Sequence, residues 1–539
     1  MLPWIWIVRA ARAVLAAATI AMAGCAVLPG HVQRPVSQAA APQTAAATTL
    51  GRIAAASRPA PDDDGLPSAA DESGDSGFRL LPAGDQAFDA RIALARRAET
   101  SIDAQYYLIA SDTSGLQFLR ELSDAAARGV RVRLLVDDMH AIGQDELFAG
   151  LAAHLNVEVR LFNPLPVRDG SFASRIVFSL HDFARINRRM HNKLFIADNT
   201  FAISGGRNIA DEYFGRAEPA NFIDMDILAS GPAVHELSAV FDRYWNSEHA
   251  YPVQSLVGTA SSAALQRQFD DRIAALPALA AVAATDTLGQ SSVSAQLQAG
   301  RIEQHAGRVR VLADPPRKVD ERDGADGIVM SAHLELIRSA QSDVLIASPY
   351  FVPGDTGLAA IGQATAHHVS LTVMTNSLAT TDEPLVHYGY AKYRHALLKM
   401  GASLYELMPG AGERHEADAS LGRSGASGSL GRLHAKLAVV DGQRVFVGSM
   451  NMDRRSAHSN TEVGLIIESR SLARELTLLL QRERIPRSYR LRIANATGGI
   501  EWVATRGREQ TVQVREPVGD VAVGLGVLLT RSVVPEDWL

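Results

Sequence analysis

Two short stretches constrain the architecture of this chain more than anything else in it. Residues 191–199 read HNKLFIADN and residues 434–442 read HAKLAVVDG, each a His-x-Lys followed by four residues and an aspartate. Both read as apolar β-strands interrupted by a lysine, and a buried lysine is rare unless something pairs with it. Alternate side chains of a strand share a face, so His191 and Lys193 point together, as do His434 and Lys436. Asp198 and Asp441 fall on the other parity, at the hairpin turns Asp198-Asn199 and Asp441-Gly442, where they orient the hairpin.

If each turn holds two residues, Ala197 pairs with Thr200 and Val440 with Gln443. Gly206 then lies opposite His191 and Ser449 opposite His434. Asn208 and Asn451 follow two residues later, in GGRN and GSMN. Each hairpin so gathers a histidine, a lysine, a small residue and an asparagine, which is a phosphate site in outline. Histidine and aspartate at these spacings also suggest metal ligands, but a lysine between them repels a divalent ion. No metal is expected.

The surroundings are duplicated as well, and the order of elements carries that reading. In the first copy SIDAQYYLI is a strand, GLQFLRELSDAAARG a helix, and VRVRLLVDD and VEVRLFNP are further strands before the His191 hairpin. In the second, DVLIASPYFV, TGLAAIGQATA, VSLTVMTNS and ASLYELMPG repeat that order before the His434 hairpin. Another strand follows each hairpin, FIDMDILAS and TEVGLIIES, which aligns Asp224 with Glu462; Asp226 is a rival on the same face. These acids are candidates to hold the far ring nitrogen of the two histidines. Strands alternating with helices predict an α/β layered fold in each copy.

The 539 residues predict more than one domain. Residues 78–255 form the first and 309–500 the second, joined by a helical connector over 256–308, with an extension over 501–539. The apolar stretch AVLAAATIAMAGC after Arg9 and Arg12 has the layout of an export signal over residues 1–24. It resembles a bacterial lipobox, with Cys25 as the lipidated residue; an uncleaved anchor, or an ordinary signal with an incidental cysteine, is the alternative. Residues 25–77, rich in Ala, Pro, Ser, Thr and Asp, read as a disordered tether. Cys25 is the only cysteine, which excludes an intramolecular disulfide and any multi-cysteine metal site. A net charge of −6 gives no strong footprint for nucleic acid, and none is expected as a partner.

With these motifs the chain resembles the phospholipase D superfamily over about residues 80–510. Within it the stretches FARINRRMHNKLF, GGRNIADEYFG, SPYFVPG, NSLATTDEPLVHYGYAKYR and GSMNMDRRSAHSNTEVGL resemble the bacterial cardiolipin synthases of the C type. The resemblance implies a duplicated fold, two similar mixed-sheet domains flanked by helices, with one active site at their interface and no cofactor. It implies His191 as nucleophile and His434 as the acid and base. Lys193, Lys436, Asn208, Asn451 and Ser449 are then expected around the phosphoryl oxygens. The implied substrates are phosphatidylglycerol and phosphatidylethanolamine at a membrane surface, the implied product is cardiolipin, and the implied location is the cell envelope. A hydrolytic phospholipase D, a nuclease and a noncatalytic tethered binding protein are the competing readings, in falling order.

Overall fold

The computed structural model describes residues 28–59, 75–168, 174–175, 179, 182–218, 220–257, 261–320, 327–410 and 430–518. The first half contributes β1 (Ser76–Leu81), β2 (Ser101–Tyr106), β3 (Arg131–Asp137), β4 (Val157–Phe162), β5 (Leu194–Ala197), β6 (Phe201–Gly205), β7 (Ala220–Ile223), β8 (Asp226–Ser230) and β9 (Ala250–Pro252). All but β7 form one sheet in the order β1-β8-β6-β5-β2-β3-β4-β9. Only β2-β3-β4 run parallel, and parallel neighbours need a crossover, which the helices Thr113–Ala127 and Asp145–Leu151 provide. The first of these starts where Asp112 accepts the Gly115 N–H, as an N-cap should.

The second half repeats this plan with β10 (His305–Ala313), β11 (Asp343–Ala347), β12 (Ser370–Asn376), β13 (Ser403–Leu407), β14 (Leu430–Leu433), β15 (Leu437–Val440), β16 (Arg444–Gly448), β17 (Val463–Glu468) and β18 (Ser488–Ile493). Its order is β10-β17-β16-β15-β11-β12-β13-β18, with β11-β12-β13 as the parallel trio. The expected extension continues the edge of this sheet as β19 (Ile500–Arg506) and β20 (Glu509–Gln513).

Strand β10 joins the two sheets. Its residues His305–Gly307 pair with β1, and Arg308–Ala313 pair with β17. One apolar cluster also spans the halves, with Ile196, Ala202 and Ile227 from the first and Leu437, Val445 and Leu465 from the second. Burial of this kind contributes roughly 25 cal/mol per Å² of apolar surface.

Four expectations change. The hairpin turns hold three residues, because Ala197 lies opposite Phe201 and Val440 opposite Arg444. Asp198, Asn199, Asp441 and Gly442 do take positive φ, as a two-residue turn requires, but the ladder resumes one residue later. The strand expected over 222–230 is broken at Asp224–Met225 into β7 and β8. Among its described residues the connector is helical only at Ser262–Ala274 and Val293–Gln298, and it ends by feeding β10.

The fourth concerns the tether. Residues 28–59 are not loose but lie against the first half: the Ala39 N–H donates to Asp242, Arg34 Nε to the Ala250 carbonyl, and Leu50 is fully buried. Low periodicity concealed this, since tertiary contacts and the Thr48 cap, rather than propensity, order the helix Thr49–Ala56. Cys25, the expected export signal and the tail from 519 onward lie outside the described residues.

If this segment is part of the folded body, Leu50→Ala lowers stability by about 2–5 kcal/mol, the cost of truncating a buried leucine. Urea unfolding checks this; an unchanged midpoint would mean that the segment is only loosely attached.

Candidate active site

The residue ahead of each histidine is held by the opposite half. Strand β14 pairs in parallel with β7, Leu433 opposite Ile223, so the chain arrives at His434 beside the chain arriving at Asp224. The His434 N–H then donates to the Ile223 carbonyl. The same pattern recurs around the other histidine: Met190 bridges Thr461 in parallel, and the His191 N–H donates to the Thr461 carbonyl, one residue before Glu462.

The side chains therefore pair across the halves. His191 Nδ1 lies 2.9 Å from Glu462 Oε2, and His434 Nδ1 lies 2.6 Å from Asp224 Oδ2. Both acids are fully buried, and neither histidine is bonded to the acid of its own half. Asp226, the rival on paper, is engaged elsewhere, with Arg91 and Arg207.

Both lysines fold back over their own histidine. Lys193 Nζ donates to the His191 carbonyl at 2.7 Å and sits 5.2 Å from the centre of the Tyr107 ring. Lys436 Nζ donates to the His434 carbonyl and lies 2.9 Å from His434 Nδ1. Because that ring nitrogen is closer to the Asp224 carboxylate, its hydrogen belongs to the Asp224 bond, which leaves Nε2 for chemistry.

The three-residue turns shift Gly206 and Ser449 one place from the expected register opposite His191 and His434, and both small residues serve the acids instead. A Cβ at Gly206 would fall 2.1 Å from Asp224 Oδ1, so only glycine lets this carboxylate lie flat on the strand. At the corresponding position Ser449 Oγ donates to Glu462 Oε2 at 2.5 Å. Asn208 donates its amide to the Tyr213 hydroxyl, while its Oδ1, like Asn451 Oδ1, is buried with no partner among the described residues. Asp198 accepts from the N–H groups of Glu99, Thr100 and Ser101, and Asp441 from those of Gln341 and Ser342. Each aspartate therefore ties its hairpin turn to the start of the neighbouring strand, β2 or β11.

Sequence reading missed a buried support next to His191. Asp137 at the end of β3 accepts from Arg189 Nε and from the Met190 N–H. In the second half Asn376 at the end of β12 accepts from the Leu433 N–H instead. Only alignment of these two strand ends, each bonded to the N–H of the residue before a histidine, reveals the pair.

Burial dominates the electrostatics. It pushes His191 well below its ordinary value, with Lys193, Lys436 and His434 adding to the shift. His434 is also lowered, by burial and then Lys436, with Asp224 pulling the other way. Burial raises Glu462 to about 7 against the pull of Lys193. Asp224 stays below its ordinary value despite burial, because His434 and Lys436 hold it ionised. Burial lowers Lys436 to about 8, a shift that Asp224 and Asp382 oppose.

Two segments, residues 92–245 and 333–483, match the family described as "Cardiolipin synthase, PLD-like domain". The chain belongs to this phospholipase D-like cardiolipin synthase family. It is 35% identical over 479 residues to cardiolipin synthase C of Escherichia coli strain K12, covering 88% of this chain and 98% of that one. An uncharacterized Helicobacter pylori (strain ATCC 700392 / 26695) protein is 34% identical over 410 residues, covering 75% and 78%. The fold is shared with phosphatidylserine synthase of Haemophilus influenzae Rd KW20, with a TM-score of 0.52 at 13% identity over 77% of this chain and 87% of that one. Family membership makes the chain a phosphatidyltransferase of the phospholipase D superfamily.

The Lys436 shift carries a pH dependence. Below about 8 the ammonium is charged and attracts a phosphodiester; above it the charge is lost. The expected kcat/KM, which reports the free enzyme, falls as pH rises through about 8. In Lys436→Arg, whose guanidinium stays charged, this limb disappears from the residual rate.

Proposed function

We propose that this enzyme makes cardiolipin by moving a phosphatidyl group from phosphatidylglycerol or phosphatidylethanolamine to the free hydroxyl of a second phosphatidylglycerol. One observation carries the reading: two histidines from different halves, each anchored by the carboxylate of the other half, occupy one buried site. Such a site serves two half-reactions at a single phosphorus.

In the first, His191 Nε2 attacks phosphorus; the N–P bond forms, the P–O bond to the head-group alcohol breaks, and His434 gives that alcohol its proton. In the second, the acceptor hydroxyl returns a proton to His434 while its oxygen displaces His191. The phosphodiester's free energy is kept in the phosphohistidine, so no nucleotide is consumed. Neutral His191 suits the nucleophile, since burial and the neighbouring lysines disfavour its charged form. A bound diester adds negative charge beside His434 and favours its protonated form. Lys193, Lys436, Asn208 and Asn451 would hold the non-bridging oxygens as charge develops there. Ser449, Asp224 and Glu462 orient the rings, and Asp198 and Asp441 orient the hairpins.

Among the described residues no helix is long and apolar enough to cross a membrane. We assign membrane attachment to acylation of Cys25 in the cell envelope, which would hold the enzyme against its lipid substrates.

Purified enzyme is tested on vesicles of phosphatidylglycerol with and without phosphatidylethanolamine. Cardiolipin should form, and His434→Ala should lower the rate by about 10²–10⁴, the usual contribution of a general acid-base group. Phosphatidic acid as the only product would mean that water is the acceptor and the enzyme a hydrolase. Cys25→Ser should move the protein from the membrane to the soluble fraction without lowering turnover on detergent-dispersed lipid; persistence in the membrane pellet would refute the anchor.

A further inference from the structure

The pseudo-twofold site is broken at its rim. Tyr107 and Tyr350 occupy matching places one to three residues past the ends of β2 and β11, five residues ahead of Asp112 and Asp355. In the first half the Tyr107 ring lies 5.1 Å from that of His191 and 4.5 Å from that of His140, an exposed residue just beyond β3. In the second half the Tyr350 hydroxyl donates to Asp382 Oδ2 at 2.6 Å. Asp382 follows β12 as His140 follows β3, so a carboxylate stands where the other half has an imidazole.

Charge follows the same division. Arg455, anchored on Asn187, bears on His191, on Tyr107 beside Asp137 and Arg189, and on Glu383, whereas Asp382 bears on His434 and Lys436. Glu212 and Glu383 add negative charge around Asp382, with Arg432 facing Glu212. Asp382 Oδ1 is buried and accepts no hydrogen bond from the described residues. A buried carboxylate oxygen left unbonded costs free energy that a donor reaching it would recover.

We propose that Asp382, fixed by Tyr350, reads the head group of the lipid beside His434, its Oδ1 accepting from a hydrogen-bond donor carried beyond the phosphate. This rests on the phosphatidyl-transfer reading above. Two head groups share the required chemistry, the ammonium of ethanolamine and the hydroxyls of glycerol, and both are alcohols that His434 would protonate on leaving. Asp382 takes no proton in either half-reaction; it selects which alcohol departs.

Full-length enzyme is given vesicles in which ethanolamine and glycerol head groups carry different labels, and their release is measured together. The ratio of the two rates is independent of the active fraction. Asp382→Asn should change this ratio by about tenfold, since a polar contact favours the head group that makes it and that preference weakens when the contact is lost. A fall in ethanolamine release relative to glycerol identifies the ammonium as the ligand, and the reverse identifies the hydroxyls. Tyr350→Phe, which unfixes the carboxylate, should move the ratio in the same direction by less, and it carries the test if Asp382→Asn does not fold. An unchanged ratio, whether both rates drop together or neither moves, overturns the proposal. If the wild-type enzyme releases neither head group, the transfer reading itself fails instead.

Discussion

Each histidine in this enzyme is completed by a carboxylate from the opposite half, and the rest of the structure depends on that exchange. A buried imidazole needs a partner for its second nitrogen to fix its tautomer, and neither half supplies one for its own ring. The exchange is prepared in the backbone, where the strand leading to each histidine runs parallel to the strand leading to the other half's acid. Separated halves would each hold an unpaired buried acid and an unpaired buried ring, both costly. Association of the halves and construction of the site are thus one event.

The same exchange makes the buried charge tolerable. Lys193 and Lys436 are balanced by Asp224 and Glu462, and Arg189 by Asp137. Burial lowers both lysines, so their charged forms depend on the neighbouring carboxylates. An arriving phosphodiester, singly negative, would relieve this strain by adding a charge of the needed sign. The small residues at Gly206 and Ser449 belong to this economy, since one makes room for Asp224 and the other donates to Glu462.

Much of this was legible in the linear pattern. The period-two spacing of His191 and Lys193 marked a strand face, and the repeated order of elements marked two matching sheets. The turn length was not legible, because Asp-Asn and Asp-Gly satisfy the φ requirement of a two-residue turn even where pairing resumes a residue later. Which acid served which histidine was also hidden, since Asp224 and Glu462 occupy the same offset in both copies. The Arg189–Asp137 pair carries no motif of its own. Residues 28–59 looked loose because Ala-rich sequence has weak periodicity, and the contacts that order them come from residues about two hundred positions away.

Strand β10 spends its first three residues on one sheet and its remaining six on the other. The two ladders meet at Gly307–Arg308, so one continuous strand links the sheets whose inner faces share an apolar cluster. Backbone pairing and core packing thus act together in setting the two histidine-bearing hairpins side by side.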